Sequence, residues 1–136
     1  MPPVRPRLAV TLGDCAGIGP ELVLRALASS VLDSACPFVV YGNLLVLQRV
    51  ASAIGLSIPD SLCVMTYRRG LAVPPTEDRH ILFDFPFTEA ATLTPGSVQP
   101  VCGAHAYEWI CAAVQDMRNG VADALVTAPI NKEALH

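Results

Sequence analysis

Short apolar runs alternate along the chain with longer stretches of helical periodicity. "RLAVTL" at 7–12 is apolar and partly β-branched, which predicts a buried strand. From Pro20 to Ser29 the pattern becomes that of a helix. Proline is favoured at the first helical position, and Glu21 falls in the first turn, where the helix dipole favours a carboxylate. "FVVY" at 38–41 predicts a second strand, closed by Gly42. "NLLVLQRVASAIG" then reads as a helix capped by Asn43 and ended by Gly55. "LCVMTY" (62–67) and "HILFDF" (80–85) are further strand candidates, crowded by Pro74, Pro75 and Pro86. "TLTPGSVQP" (92–100) is a loop by composition. Beyond it, Tyr107, Ile110, Cys111, Val114 and Met117 recur at helical spacing and predict one apolar helix face, ended at Asn119-Gly120. "DALVTAPI" (123–130) predicts a last strand, and a short helix is expected to open at Asn131.

Strands alternating with helices imply an α/β fold, a layered α/β/α sheet with considerable parallel character. A length of 136 residues is one domain's worth. With 52% hydrophobic and 15% charged residues the chain can build a core and is not a disordered sequence. The net charge of −3, without a run of Lys or Arg, argues against nucleic acid or an anionic membrane surface as partner. No segment approaches the roughly 20 apolar residues of a membrane span. The run after Arg5 and Arg7 is broken by Gly13 and Asp14, too early for a signal-peptide core. Five cysteines (Cys15, Cys36, Cys63, Cys102, Cys111) without a C-x-x-C pair predict reduced, mostly buried thiols in a cytoplasmic protein. They do not predict a disulfide framework or a cysteine-based zinc site. The chain stops about one turn into its last expected helix, which predicts the front part of a longer protein.

The candidate chemistry lies in two loops. "GDCAGIGPE" (13–21) leaves the first strand through glycines. A dinucleotide fingerprint fails there because Leu22 stands where the third glycine is required; a P-loop fails because Ile18 replaces its second glycine and no lysine follows. What remains is a turn that lets backbone approach closely and offers helix N–H groups to an anion, or a tight turn with no ligand. "VTAPINK" (126–132) leaves the last strand, and in open parallel sheets ligands bind beyond the carboxyl ends of strands. Thr127 supplies a hydroxyl there. Lys132 brings a cation to the same rim as Asp14 if both strands run parallel, although a solvated first-turn lysine fits equally. The candidate cleft residues are therefore Asp14, Gly17, Gly19, Thr127 and Lys132. His80, His105 and His136 are scattered and are assigned to no metal; His105 reads as a surface or boundary residue and Asp84 as an edge or bend residue. No Ser-His-Asp or Cys-His arrangement is present, and no catalytic residue is assigned.

"TLGDCAGIGPEL", "LTPGSVQPVCGAHAYEWICAA" and "GVADALVTAPINKEAL" together resemble the 4-hydroxythreonine-4-phosphate dehydrogenase family of vitamin B6 biosynthesis. The likeness is strongest at 8–28 and 95–135 and weak through 56–90. It implies an isocitrate/isopropylmalate dehydrogenase-like fold, incomplete here: residues 1–136 would be the N-terminal part of a two-domain, homodimeric enzyme, with the second domain absent. It implies oxidation, with decarboxylation, of a small phosphorylated hydroxy acid, 4-phosphohydroxy-L-threonine, using NAD and a divalent metal. The family's metal-binding histidines and Gly-His-Thr loop would lie past His136, so the fragment alone is expected to be inactive. Cys15 stands where the family more often has proline. Two other readings remain open at this stage: a non-catalytic truncated remnant acting as a dimerising or binding module, and a related dehydrogenase of phosphothreonate or phosphoerythronate.

Overall fold

The structure, a computed structural model, describes residues 5–73 and 78–135; Pro74, Pro75 and His136 lie outside that range. Among the described residues five strands form where the apolar runs predict them: β1 over Leu8–Thr11, β2 over Phe38–Gly42, β3 over Cys63–Thr66, β4 over Ile81–Asp84 and β5 over Ala124–Thr127. Four α-helices connect them: α1 over Gly19–Leu27, α2 over Ser30–Ala35, α3 over Leu44–Ile54 and α4 over Pro100–Arg118. A 3-10 turn spans Thr88–Thr92. The helix expected to run to Ser29 divides in two, because Ser29 leaves helical geometry and its hydroxyl accepts the Leu32 N–H at 3.4 Å, capping α2. α3 keeps both predicted ends: Asn43 Oδ1 accepts the Val46 N–H at 3.0 Å, and Gly55 ends the helix in the left-handed conformation, φ 73°. The helix expected to open at Asn131 does not form. Asn131 Oδ1 accepts the N–H groups of Glu133 and Ala134, and the chain makes a single hydrogen-bonded turn.

All pairings are parallel, and the sheet order is β3-β4-β2-β1-β5. The chain therefore moves from β1 to β2 in one direction and from β4 back across to β5 in the other. Right-handed crossovers place the connecting helices of these two movements on opposite faces. α1 packs against α3, and α4 packs on β1, β2 and β5. Asp84 is not an edge residue, because β4 sits between β3 and β2; its Oδ1 accepts the Leu44 N–H at 2.8 Å and so supports the start of α3.

α4 corrects the predicted stripe. The face it buries is Cys102, Ala106, Trp109, Ala113 and Asp116, whereas Tyr107 is 64% exposed and Cys111 is exposed. The apolar set chosen by spacing lies about one residue out of phase because the true buried face surrounds Trp109 with small residues and a carboxylate. Asp116 is held by two phenols: the Tyr41 hydroxyl donates to Oδ2 at 2.8 Å and the Tyr67 hydroxyl to Oδ1 at 3.3 Å. Burial pushes the Asp116 carboxyl up from its ordinary range, and the two phenol hydrogen bonds draw it partly back. Tyr67 also stacks on Phe85, with ring centroids 4.2 Å apart.

Burial first, then the charge and hydrogen bond of Asp116, push the Tyr67 phenol up from 10 to about 12. A folded pKa above the unfolded one gives a contribution that is complete below pH 10 and is lost as pH rises through about 12. Tyr67→Phe should therefore flatten the alkaline loss of stability over that window, read as denaturant midpoints at a series of pH values; an unchanged slope would contradict the assignment.

Candidate functional site

The strand order reverses at β1, whose neighbours β2 and β5 follow from opposite crossovers, and a crevice opens beyond the carboxyl ends of β1 and β5. The loops that leave these strands are tied to each other through backbone. Ala128 N–H donates to the Thr11 carbonyl at 3.1 Å, and Asp14 N–H donates to the Pro129 carbonyl at 2.9 Å. Gly13 makes the second contact possible. Its φ is +69°, and a Cβ there would collide with the carbonyl oxygens of Ala128 and Pro129. The turn closes on itself as Gly17 N–H donates to the Asp14 carbonyl at 3.0 Å and Ala16 N–H to Asp14 Oδ1 at 3.1 Å.

The crevice is open, has a volume of about 380 Å³ and is lined by Asp14, Gly17, Ile18, Asn131, Lys132 and Glu133, with Pro129 and Ile130 at its edge. Asp14, Gly17 and Lys132, three of the five candidate residues, thus share one cavity. Gly19 does not line it: this residue is buried at the start of α1, where a Cβ would collide with the Leu12 carbonyl oxygen, so it serves the packing of helix on strand. Thr127 lines a different, apolar cavity of about 300 Å³ with Leu8, Val10, Leu22 and Val126. Asn131 and Glu133 were missed. Asn131 was legible as a cap, but its place on the wall follows only from the parallel pairing of β5 with β1.

α1 begins without a side-chain cap, and Ile18, the residue that precedes it, lines this crevice. Lys132 supplies one positive charge and Asp14 and Glu133 supply two negative ones. That balance opposes a bare phosphate and suits hydroxyl, amide or ammonium groups. The described residues do not fit the histidine-bound divalent metal implied by the family resemblance. His80 Nδ1 accepts the Phe38 N–H at 2.9 Å, and His105 is stacked on Phe87 at 3.9 Å. No helix among the described residues is long and apolar enough to cross a membrane.

A family profile described as pyridoxal phosphate biosynthetic protein PdxA matches residues 34–136. The chain is 34% identical over 134 residues to the D-threonate 4-phosphate dehydrogenase of Salmonella typhimurium, which covers 95% of this chain and 38% of that protein. It is 31% identical over 145 residues to the 4-hydroxythreonine-4-phosphate dehydrogenase of Geobacter metallireducens, covering all of this chain and 39% of that one. Among solved structures, 4-hydroxythreonine-4-phosphate dehydrogenase from Klebsiella pneumoniae superposes with a TM-score of 0.79 at 34% identity, over 96% of this chain and 39% of that chain. The chain therefore spans just under two fifths of the length of these relatives.

Gly13→Ala should cost more than about 1 kcal/mol, because both its positive φ and the carbonyl contacts oppose a side chain. Gly55→Ala, at φ +73° with open space around it, is the control that carries the conformational cost alone. Equal loss of stability in the two variants by denaturant unfolding would contradict the close approach of the two loops.

Proposed function

Because the chain belongs to the pyridoxal phosphate biosynthetic protein PdxA family, we propose that it forms the N-terminal part of a two-domain, NAD- and metal-dependent dehydrogenase. The enzyme would oxidise, with decarboxylation, 4-phosphohydroxy-L-threonine in vitamin B6 biosynthesis. The observation that carries this reading is the state of β5. Strands of parallel sheets are ordinarily covered on both faces, yet β5 is an apolar strand at the sheet edge with Ala124, Val126 and Thr127 exposed. A further domain, and a second subunit in a homodimer, would give that strand its cover and close the crevice into a cleft.

Within such a cleft the chain's own residues bind and orient. Lys132 would meet a carboxylate or hydroxyl oxygen of the substrate, and Asp14, held by the Ala16 N–H, would accept from a hydroxyl or ammonium group. Gly17 and the opening of α1 would leave room for the ligand's backbone contacts. NAD supplies the hydride acceptor when bound, and no residue of this chain is assigned to the metal. A second reading, a dehydrogenase of D-threonate 4-phosphate, is supported by the Salmonella typhimurium relative. The two carboxylates on the crevice wall favour the substrate that carries an ammonium group. A non-catalytic remnant acting as a dimerising module is the third, and the reading frame beyond His136 separates it from an enzyme fragment: a stop codon there favours the remnant.

The 136-residue chain, supplied with 4-phosphohydroxy-L-threonine, NAD and a divalent metal, should produce no NADH; robust production by the chain alone would overturn the reading. In a protein whose frame continues past His136, Lys132→Ala should lower kcat/KM by about tenfold or more, the scale of one charge-assisted hydrogen bond.

A further inference from the structure

Asp14 of the crevice wall also belongs to a second cluster, with two cysteines to which the crevice gives no role. Cys15 follows Asp14 in the β1–α1 turn, and Cys102 lies in the first turn of α4, far away in sequence. Because α4 crosses the opposite face of the sheet and packs on β1, its first turn comes up against the glycine turn. The two sulfur atoms and a carboxylate oxygen of Asp14 all lie within 4.8 Å of one another. Both cysteines are buried, at 4% and 0% exposure. Burial pushes both thiols up, and on Cys15 the hydrogen bond and charge of Cys102 add to it; on Cys102 the hydrogen bond from Cys15, and after it the Ala16 N–H, act in the opposite direction. Without a cation the pair is thus two neutral thiols sharing a hydrogen bond beside a carboxylate.

We propose that Asp14, Cys15 and Cys102 form a binding site for one soft divalent cation of the zinc or cadmium class. Thiolates are the soft donors that select such ions, and a carboxylate oxygen is an accepted third ligand. A tetrahedral zinc ion with Zn–S bonds of about 2.3 Å holds its two sulfurs about 3.8 Å apart, which a group already gathered within 4.8 Å reaches by small side-chain adjustments. Binding exchanges two S–H bonds for two metal–sulfur bonds and releases two protons to solvent; no electron is transferred. Two thiolates and a carboxylate around a divalent ion leave one net negative charge, and Lys132 lines the same crevice as Asp14. The ion has a route in, because Cys15 also lines a cavity of about 280 Å³ between the glycine turn, α1 and α3, with Glu21 and Arg49 on its walls. A water in that cavity would complete four ligands. Occupancy ties the glycine turn directly to α4 and so stiffens one wall of the crevice. None of this depends on the dehydrogenase reading.

The reduced full chain, titrated with cadmium chloride alone, should develop a cadmium–thiolate charge-transfer absorption that saturates at one equivalent. Cys15→Ser, Cys102→Ser and Asp14→Asn should each weaken binding by at least about tenfold, since even supporting residues around metal sites carry that much. Cys111→Ser, at an exposed thiol, should leave the titration unchanged. A parent protein without a saturable band, or a Cys15→Ser/Cys102→Ser double variant that retains it, overturns the proposal. Differential alkylation of the unsubstituted protein guards against misfolded variants. Relative to the metal-free protein, cadmium should slow labelling of the peptides carrying Cys15 and Cys102 and leave the rates at Cys36, Cys63 and Cys111 unchanged; no cadmium-dependent slowing at Cys15 and Cys102 overturns the proposal.

Discussion

β1 is hydrogen-bonded in parallel to β2 on one side and to β5 on the other. That double parallel pairing is the constraint from which the arrangement of the molecule follows. A parallel neighbour is reached only by a crossover, and crossovers turn right-handed. Movement from β1 towards β2 through α1, and return to β5 through α4, therefore sends the two helices to opposite faces. The loops above β1 and β5 part where the helices part, and the crevice lies between them. The two loops are joined beside it through backbone, because Gly13 lets the Pro129 carbonyl reach the Asp14 N–H.

The same geometry explains what is brought together on the far side of the sheet. α4 reaches from the glycine turn, where Cys102 meets Cys15, to the phenols of Tyr41 and Tyr67 at Asp116. A carboxylate in that position is costly to bury, and two phenol donors offset part of the cost. In return the helix is fixed in rotation: only one face can present Asp116 to both rings while burying Trp109. A uniformly apolar face would leave rotation less strictly specified.

Local signals in the chain were read well where the interaction is itself local. Asn43 and Gly55 bound α3 because a cap hydrogen bond and a left-handed residue act within a few positions of the helix end. Ser29 and Asn131 carry the same kind of signal, yet periodicity runs the first into a longer helix and predicts a helix opening at the second. Both side chains hydrogen-bond nearby N–H groups, which favours caps and turns alike. The face of α4 was misread because Tyr107, Ile110, Cys111, Val114 and Met117 outweigh Cys102, Ala106 and Ala113 in bulk hydrophobicity. What selects the buried face is packing against β1 and β2, which takes Trp109 with small residues on either side of it.

The class of fold, the positions of the strands and the two segments of interest, the glycine turn and the loop ending at Lys132, are legible in the order of amino acids. Strand propensity, helix caps and turn residues are short-range properties, so they are written in consecutive positions. That Asp14, Gly17 and Lys132 share a cavity while Thr127 lines another, and that Gly19 packs helix on strand, follows from the folded arrangement alone. It alone placed Cys102 against Cys15. Those outcomes depend on strand order and crossover handedness, which join residues across the whole chain and leave no fixed spacing to read.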